Sequence, residues 1–383
     1  MRRVLYTTHA GEPGGAEFKM LDLCETLRQP CEVLLFEHGT LEEMLTRAGI
    51  PYTVHPMEGA TRAVRREGGL GAMLRGIPGA FAMARAMARR ARDFDVVVCF
   101  SQKSFVAAAL AKPFMRRPVC WFMNDILSPE HFNPWLVRLL VALSRRTADY
   151  VILNSQASLD AWLAAGGRSS RVGIVHPIIR EEIVTAQSGD AEKVAFYRNA
   201  FTQAGRPLIG MFGRISVWKG QDVFLRAIAR LPDVNAVIAG GALFGEEAYG
   251  QRMRALAREL GIADRVTFAG HVQEVAALMA ACDVVAHCST CPEPFGRVIV
   301  ESMLAGTPVI ASDAGGAREI VSNGITGQLT PMRDVDALAA AIRRCLVDPA
   351  WARALADRAR GHARQRFSAS AASSRFTEIL AGL

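Results

Sequence analysis

At 383 residues the chain exceeds one ordinary domain, and with half of its residues hydrophobic it holds material for two cores. A net charge of +8 suits acidic partners such as diphosphates or anionic lipid, while 7% aromatics and no basic motif interleaved with them argue against nucleic acid. No apolar run is long enough for a signal peptide or a bilayer span, and eight cysteines suit reduced, buried thiols, so a cytoplasmic location is expected.

The apolar run Val4–Thr8 reads as a buried strand leading into Gly11-Glu-Pro-Gly14-Gly15-Ala16-Glu17, then an amphipathic stretch with Phe18, Leu21, Leu23 and Leu27. Strand, Gly-rich turn and helix is how a parallel sheet meets a phosphate or sugar, although a plain tight turn has the same pattern. The spacing is not Gly-x-Gly-x-x-Gly, which speaks against a dinucleotide. Further strands are expected at 33–36, 96–100, 119–122, 150–153 and 172–175, several separated by helical segments, as an open, mostly parallel sheet requires.

Segment 61–92 holds eight Arg and one acid. Met73, Ile77, Phe81, Ala84 and Ala88 share a helical spacing, Arg85, Arg89 and Arg92 lie on another side, and Pro78 is expected to divide the segment. Two readings stay open: a solvated basic face, or a surface that lies on anionic lipid. Trp121-Phe-Met-Asn124-Asp125 then ends a strand.

The pattern weakens between Pro177 and Pro207, which reads as a linker with a helix from about 191 to 203 opening a second domain. A strand at 208–212 runs into Gly213-Arg214 and Lys219-Gly220. Arg and Lys five apart suit two phosphates, the planar fork for one and a mobile point charge for the other; solvated surface charges are the alternative. Strands at 234–239 and 266–272 follow. Cys282, Cys288 and Cys291 surround His287, but no second Cys pair stands at metal-ligand distance, so no metal site is expected.

A strand at 283–287 delivers the chain to Glu293-Pro-Phe295-Gly296-Arg297-Val298-Ile-Val-Glu301. Val298, Ile299, Met303 and Leu304 suit a helix face, with Gly306 as its stop and Pro308 beyond. Glu293 then stands in the loop before the helix and Glu301 on its second turn. The first amides of the helix, at 296–298, offer a seat for phosphate oxygens. A strand at 308–311 and Gly315-Gly316 repeat the turn-then-helix pattern. Asp334-Val-Asp336 reads as a helix cap rather than a metal-binding pair, and 369–380 as a final amphipathic helix.

Glu293 and Glu301, with seven residues between them and Phe295-Gly296 inside, resemble the signature of retaining glycosyltransferases of the GT-B fold, the group 1 glycosyl transferases, and the other stretches match that class in order. The resemblance implies an α/β chain of two Rossmann-like domains facing across a cleft: 1–178 for the acceptor, 179–206 as linker and start of the second domain, 207–366 for the nucleotide sugar, and a helix at 367–383 returning to the first. It implies transfer of a hexose from a GDP- or UDP-sugar to a saccharide or lipid-linked acceptor in cell-surface polysaccharide assembly, without metal or cofactor, at the inner face of the membrane. An epimerase or hydrolase on the same fold, or a non-catalytic nucleotide-sugar binder, are the rivals.

By the same resemblance Arg214 and Lys219 neutralise the departing diphosphate, and Glu293 orients the donor sugar. Glu301 takes the ribose, backbone near Val272 meets the base, and Gly14, Gly15, Gly213, Phe295, Gly296, Arg297 and Val298 complete the donor side. The class carries a His-Asp pair after the strand that here runs over 119–122. Here Asn124-Asp125 stand in its place, and His9 and His131 are candidate substitutes.

Overall fold

The computed structural model describes residues 2–57, 59–62, 71, 75–127, 132–203, 205–242 and 245–383. They form two compact units, Met1–Ile178 with Ala369–Leu383, and Ile179–Ser368.

The first unit is built on seven parallel strands: β1 (Val4–Thr8), β2 (Cys31–Leu35), β3 (Tyr52–Val54), β4 (Val96–Cys99), β5 (Val119–Met123), β6 (Tyr150–Leu153) and β7 (Val172–Ile174). Their order is β3-β2-β1-β4-β5-β6-β7. Helices cover both faces, so the inner strands are buried on both sides and read as unbroken apolar runs. Successive residues feed opposite cores: Leu5 joins Phe105, Trp121 and Trp162, whereas Val4 and Tyr6 join Phe100, Phe122 and Phe376. Phe376 comes from the terminal helix Ala369–Ala381, where its ring stacks with Tyr6 and Phe122.

The second unit repeats the plan with β8 (Leu208–Phe212), β9 (Asn235–Ala239), β10 (Val266–Gly270), β11 (Val284–His287), β12 (Val309–Ser312) and β13 (Gln328–Thr330). The order is β10-β9-β8-β11-β12-β13, again all parallel. In both sheets the strand order reverses beside the first strand, the switch point where open α/β sheets bind ligands at the carboxyl ends of their strands.

Two expectations change. Residues 181–188 are not linker but the helix Glu181–Ser188, because two acids favour its first turn and Val184, with Ile179 just ahead of it, joins the core of the second unit. The break expected near Pro78 is present: Gly76 is a turn, and Pro78 lies in the first turn of the helix Ile77–Arg90 that follows, where its missing N–H costs nothing. The apolar stripe of that helix is only partly as expected: Ala84 is buried, but Met83 and Met87 join it in the core, while Ile77 and Phe81 are 44% and 53% exposed. Met73 and His131 lie outside the described residues. Tyr52–Val54 is a three-residue edge strand too short to read from the sequence. Asp334 caps the helix Val335–Val347 by accepting from the Ala337 amide at 2.8 Å.

Candidate active site

Two loops at the carboxyl ends of β8 and β11 bring the decisive charges together. The first leaves β8 at Gly213, makes one tight turn over Val217–Lys219, and enters the helix Gln221–Ala229 through Gly220. Gln221 is fully buried and its amide donates to the Arg214 carbonyl at 3.0 Å, which fixes the inside of the turn. Gly220 has φ 77°, and a Cβ there would meet the Cys288 carbonyl oxygen at 2.0 Å. The Thr290 amide donates to the Trp218 carbonyl at 2.8 Å. The loops are therefore joined through backbone.

The second loop carries Glu293 and is braced from below. The Gly316 amide donates to the Glu293 carbonyl at 2.8 Å, and a Cβ on Gly315 would come within 2.4 Å of that oxygen. Phe295 is buried with its ring edge-on to Phe367 at 5.4 Å, so its ring anchors the loop in the core. Gly296 caps the helix Arg297–Ala305, which ends at Gly306. Its first amides lack intrahelical partners by geometry.

At the centre, Lys219 Nζ lies 2.5 Å from Glu293 Oε1, and His287 Nε2 lies 2.5 Å from Glu293 Oε2. Ser289 Oγ donates to the same Oε2 at 2.9 Å. The side chains of Lys219, Glu293 and His287 are 14%, 11% and 4% exposed. Burial alone would raise the Glu293 carboxyl, but Lys219 and His287 outweigh it and hold the acid well below its ordinary range. Glu293 is thus a fixed carboxylate, and Lys219 is its ion-pair partner.

Glu301 stands one turn into the helix with Arg297 Nε 3.4 Å from its Oε1, both partly exposed. Val298 and Val272 are partly buried against the same core. Cys282 and Cys288 belong to separate core clusters.

The sequence matches the family described as glycosyl transferases group 1 over residues 195–365, and a glycosyl transferase 4-like domain over 14–177. The structure of HepE from Anabaena, solved in complex with UDP and glucose, superposes with a TM-score of 0.90 and 35% identity, covering all of both chains. The chain belongs to the group 1 glycosyl transferases. D-inositol 3-phosphate glycosyltransferase of Mycolicibacterium smegmatis is 34% identical over 49% of this chain and 43% of its own length. The lipopolysaccharide core biosynthesis mannosyltransferase LpcC of Rhizobium leguminosarum is 31% identical over 55% and 61%. The chain thus spans less than half the length of the mycobacterial relative.

In this group 1 member the first unit holds its expected residues on the ends of β1 and β5. Gly14 caps the helix Gly15–Leu27, and its amide donates to Glu17 Oε2 at 3.0 Å. Glu17 is buried and also accepts from Thr8 Oγ1 at 2.8 Å; burial outweighs both bonds and raises its carboxyl. The His9 amide donates to Ser101 Oγ, and Asp125 accepts from the Gln102 amide. Asn124 is committed inward: its oxygen accepts from Lys19 Nζ at 2.9 Å, and its amide donates to the carbonyls of Phe100 and Phe122. Lys19 is 2% exposed, is held also by Asn154, and its ammonium lies 4.6 Å from the Phe122 ring centre.

Sequence reasoning missed Lys19, His287 and Ser289 as parts of these clusters. The spacing of Glu17 three residues after Gly14 was visible as a capping signal. His287 and Ser289 had no pattern of their own, because only the turn after β11 folds them back onto Glu293.

Proposed function

We propose that the protein is a retaining glycosyltransferase that moves a hexosyl group, glucose first among candidates, from a UDP-sugar to a saccharide or lipid-linked acceptor in cell-surface polysaccharide assembly. The observation that carries the reading is the buried Lys219–Glu293 pair at the carboxyl ends of β8 and β11. Full-length similarity to HepE, whose structures hold UDP, UDP with glucose, and UDP-glucose, favours UDP over GDP.

Arg214 and Lys219 neutralise the charge that grows on the departing diphosphate, so no metal is needed for that task. The amides of Gly296, Arg297 and Val298 add the positive end of a helix. Glu301 accepts from the ribose hydroxyls, and backbone near Val272 and Gly213 flanks the nucleotide. Glu293 holds the sugar hydroxyls and stabilises charge near the reacting carbon. Departure and attack on one face, with the diphosphate oxygen taking the acceptor proton, preserve the configuration. His9, Asn124 and Asp125, with the Gly14-Gly15 turn, serve the sugar and acceptor in the first unit.

The lipid-linked acceptor places the enzyme at an anionic membrane surface. Helices Ile77–Arg90, Gln102–Ala111 and Pro134–Thr147 feed one core on the same face of the first sheet and contain no Asp or Glu. They expose Phe81 and Trp135 beside Arg85, Arg89, Arg138, Arg145 and Arg146. Cations with interfacial aromatics on helices free of Asp and Glu suit anionic headgroups.

The test is calorimetric titration with UDP, UDP-glucose, GDP and GDP-mannose, followed by assay of UDP release. Tight UDP binding with slow release from UDP-glucose supports the reading. Preference for GDP overturns the base assignment, and binding of neither overturns the whole.

A further inference from the structure

We infer that His287, with Ser289, is a positioning residue that holds Glu293 by one oxygen so that the other is released to the donor sugar when a diphosphate draws Lys219 away. The inference rests on the donor reading above and extends it to residues that reading does not use.

The two oxygens of Glu293 are held differently. Oε2 is bound by His287 Nε2 at 2.5 Å and by Ser289 Oγ at 2.9 Å. Both donors sit at the end of β11 and are 5% and 1% exposed, with short side chains that cannot swing away. Oε1 is bound by Lys219 at 2.5 Å, on a long flexible stem from another loop. An ammonium at that position has a stronger partner available once a diphosphate arrives. Loss of Lys219 then leaves Oε1 with lone pairs for a sugar hydroxyl, while Oε2 keeps the carboxylate in place.

The ring of His287 is oriented for this task. Its Nδ1 is buried and has no hydrogen-bond partner among the described residues. A proton there would be a buried donor with nothing to meet, whereas a bare nitrogen costs less. The proton therefore belongs on Nε2, the atom that faces Glu293. Ser289 Oγ lies 3.2 Å from the same Nε2 and donates onward to the carboxylate. A second donor thus bears on the same oxygen.

The experiment compares His287→Leu and His287→Gln, each alone and combined with Glu293→Gln, using calorimetry with UDP and steady-state UDP release from UDP-glucose. His287→Leu should lower kcat by about tenfold to a hundredfold while UDP affinity and donor KM stay within about threefold. His287→Gln, whose amide reaches near the place of Nε2, should recover most of the loss. In the Glu293→Gln background, His287→Leu should cost no more than about threefold further, because the group it positions is already gone.

Parental kcat in His287→Leu overturns the inference, as does an equal loss in both backgrounds, or no recovery by Gln. These outcomes leave the donor reading intact. A parent that neither binds UDP nor turns over UDP-glucose ends the donor reading, and this inference with it.

Discussion

A methyl group on Gly220 would lie 2.0 Å from the carbonyl oxygen of Cys288, so the loops carrying Lys219 and Glu293 touch backbone to backbone. Gly220 also has φ 77°, a conformation that costs an L-residue about 1–2 kcal/mol. Gly220→Ala must therefore part the loops as well as strain the turn. We expect a melting temperature lower by several degrees and UDP affinity weaker by about tenfold, a loss of roughly 1.4 kcal/mol. Differential scanning fluorimetry and calorimetry measure both. An alanine variant with parental UDP affinity would show that the loop contact does not shape the donor site.

Two buried carboxylates give opposite dependences of stability on pH. Glu293 is depressed by Lys219 and His287 despite its burial, so its contribution is present above the ordinary value near 4.5 and is lost as pH falls below it. Glu17 is raised by burial, so its contribution is present below that value and is lost as pH rises through its folded value. Glu293→Gln should flatten the melting-temperature profile on the acid side, and Glu17→Gln on the side above about pH 4.5. Melting curves from pH 3.5 to 8 check the signs. Exchanged effects would contradict the assignment.

Turnover should be independent of divalent metal, because Arg214 and Lys219 supply the positive charge at the diphosphate. Activity should survive EDTA unchanged. Loss of activity that magnesium or manganese restores would overturn this part of the mechanism.

Binding to vesicles should require anionic lipid and fade with salt, since each basic residue near such a surface contributes about 1 kcal/mol and screening removes it within a Debye length. Replacing Arg85, Arg89, Arg138 and Arg145 by Gln should abolish co-sedimentation at 0.15 M salt, where the Debye length is about 8 Å. Equal binding to neutral vesicles, or none to anionic ones, would end the membrane assignment.

Much of this was legible in the sequence. Buried parallel strands are continuous apolar runs, so β1, β5, β6 and β8 stood out, and Gly turns marked their carboxyl ends. Helix Arg297–Ala305 was readable from its bounding glycines and the apolar positions between them. What was not legible were features decided by tertiary packing. Phe81 and Met83 are both apolar on one helix, and only the neighbouring helix decides that Met83 turns inward. The partner of Asn124 is Lys19, distant in sequence, which donates to its oxygen. The packing of the Phe295 ring beside Phe367 likewise follows from the folded core, not from the signature it sits in.

The central claim is that Glu293 acts on the reacting sugar while Glu301 only holds the nucleotide. Steady-state UDP release from UDP-glucose, paired with UDP calorimetry on Glu293→Gln and Glu301→Ala, tests it most directly. Glu293→Gln should lower kcat by about a hundredfold or more, roughly 3 kcal/mol, with UDP affinity little changed. Glu301→Ala should weaken UDP and raise donor KM by about 1.5–3 kcal/mol, the range for a hydrogen bond to a charged group. A Glu293→Gln enzyme that transfers sugar at the parental rate would contradict the account.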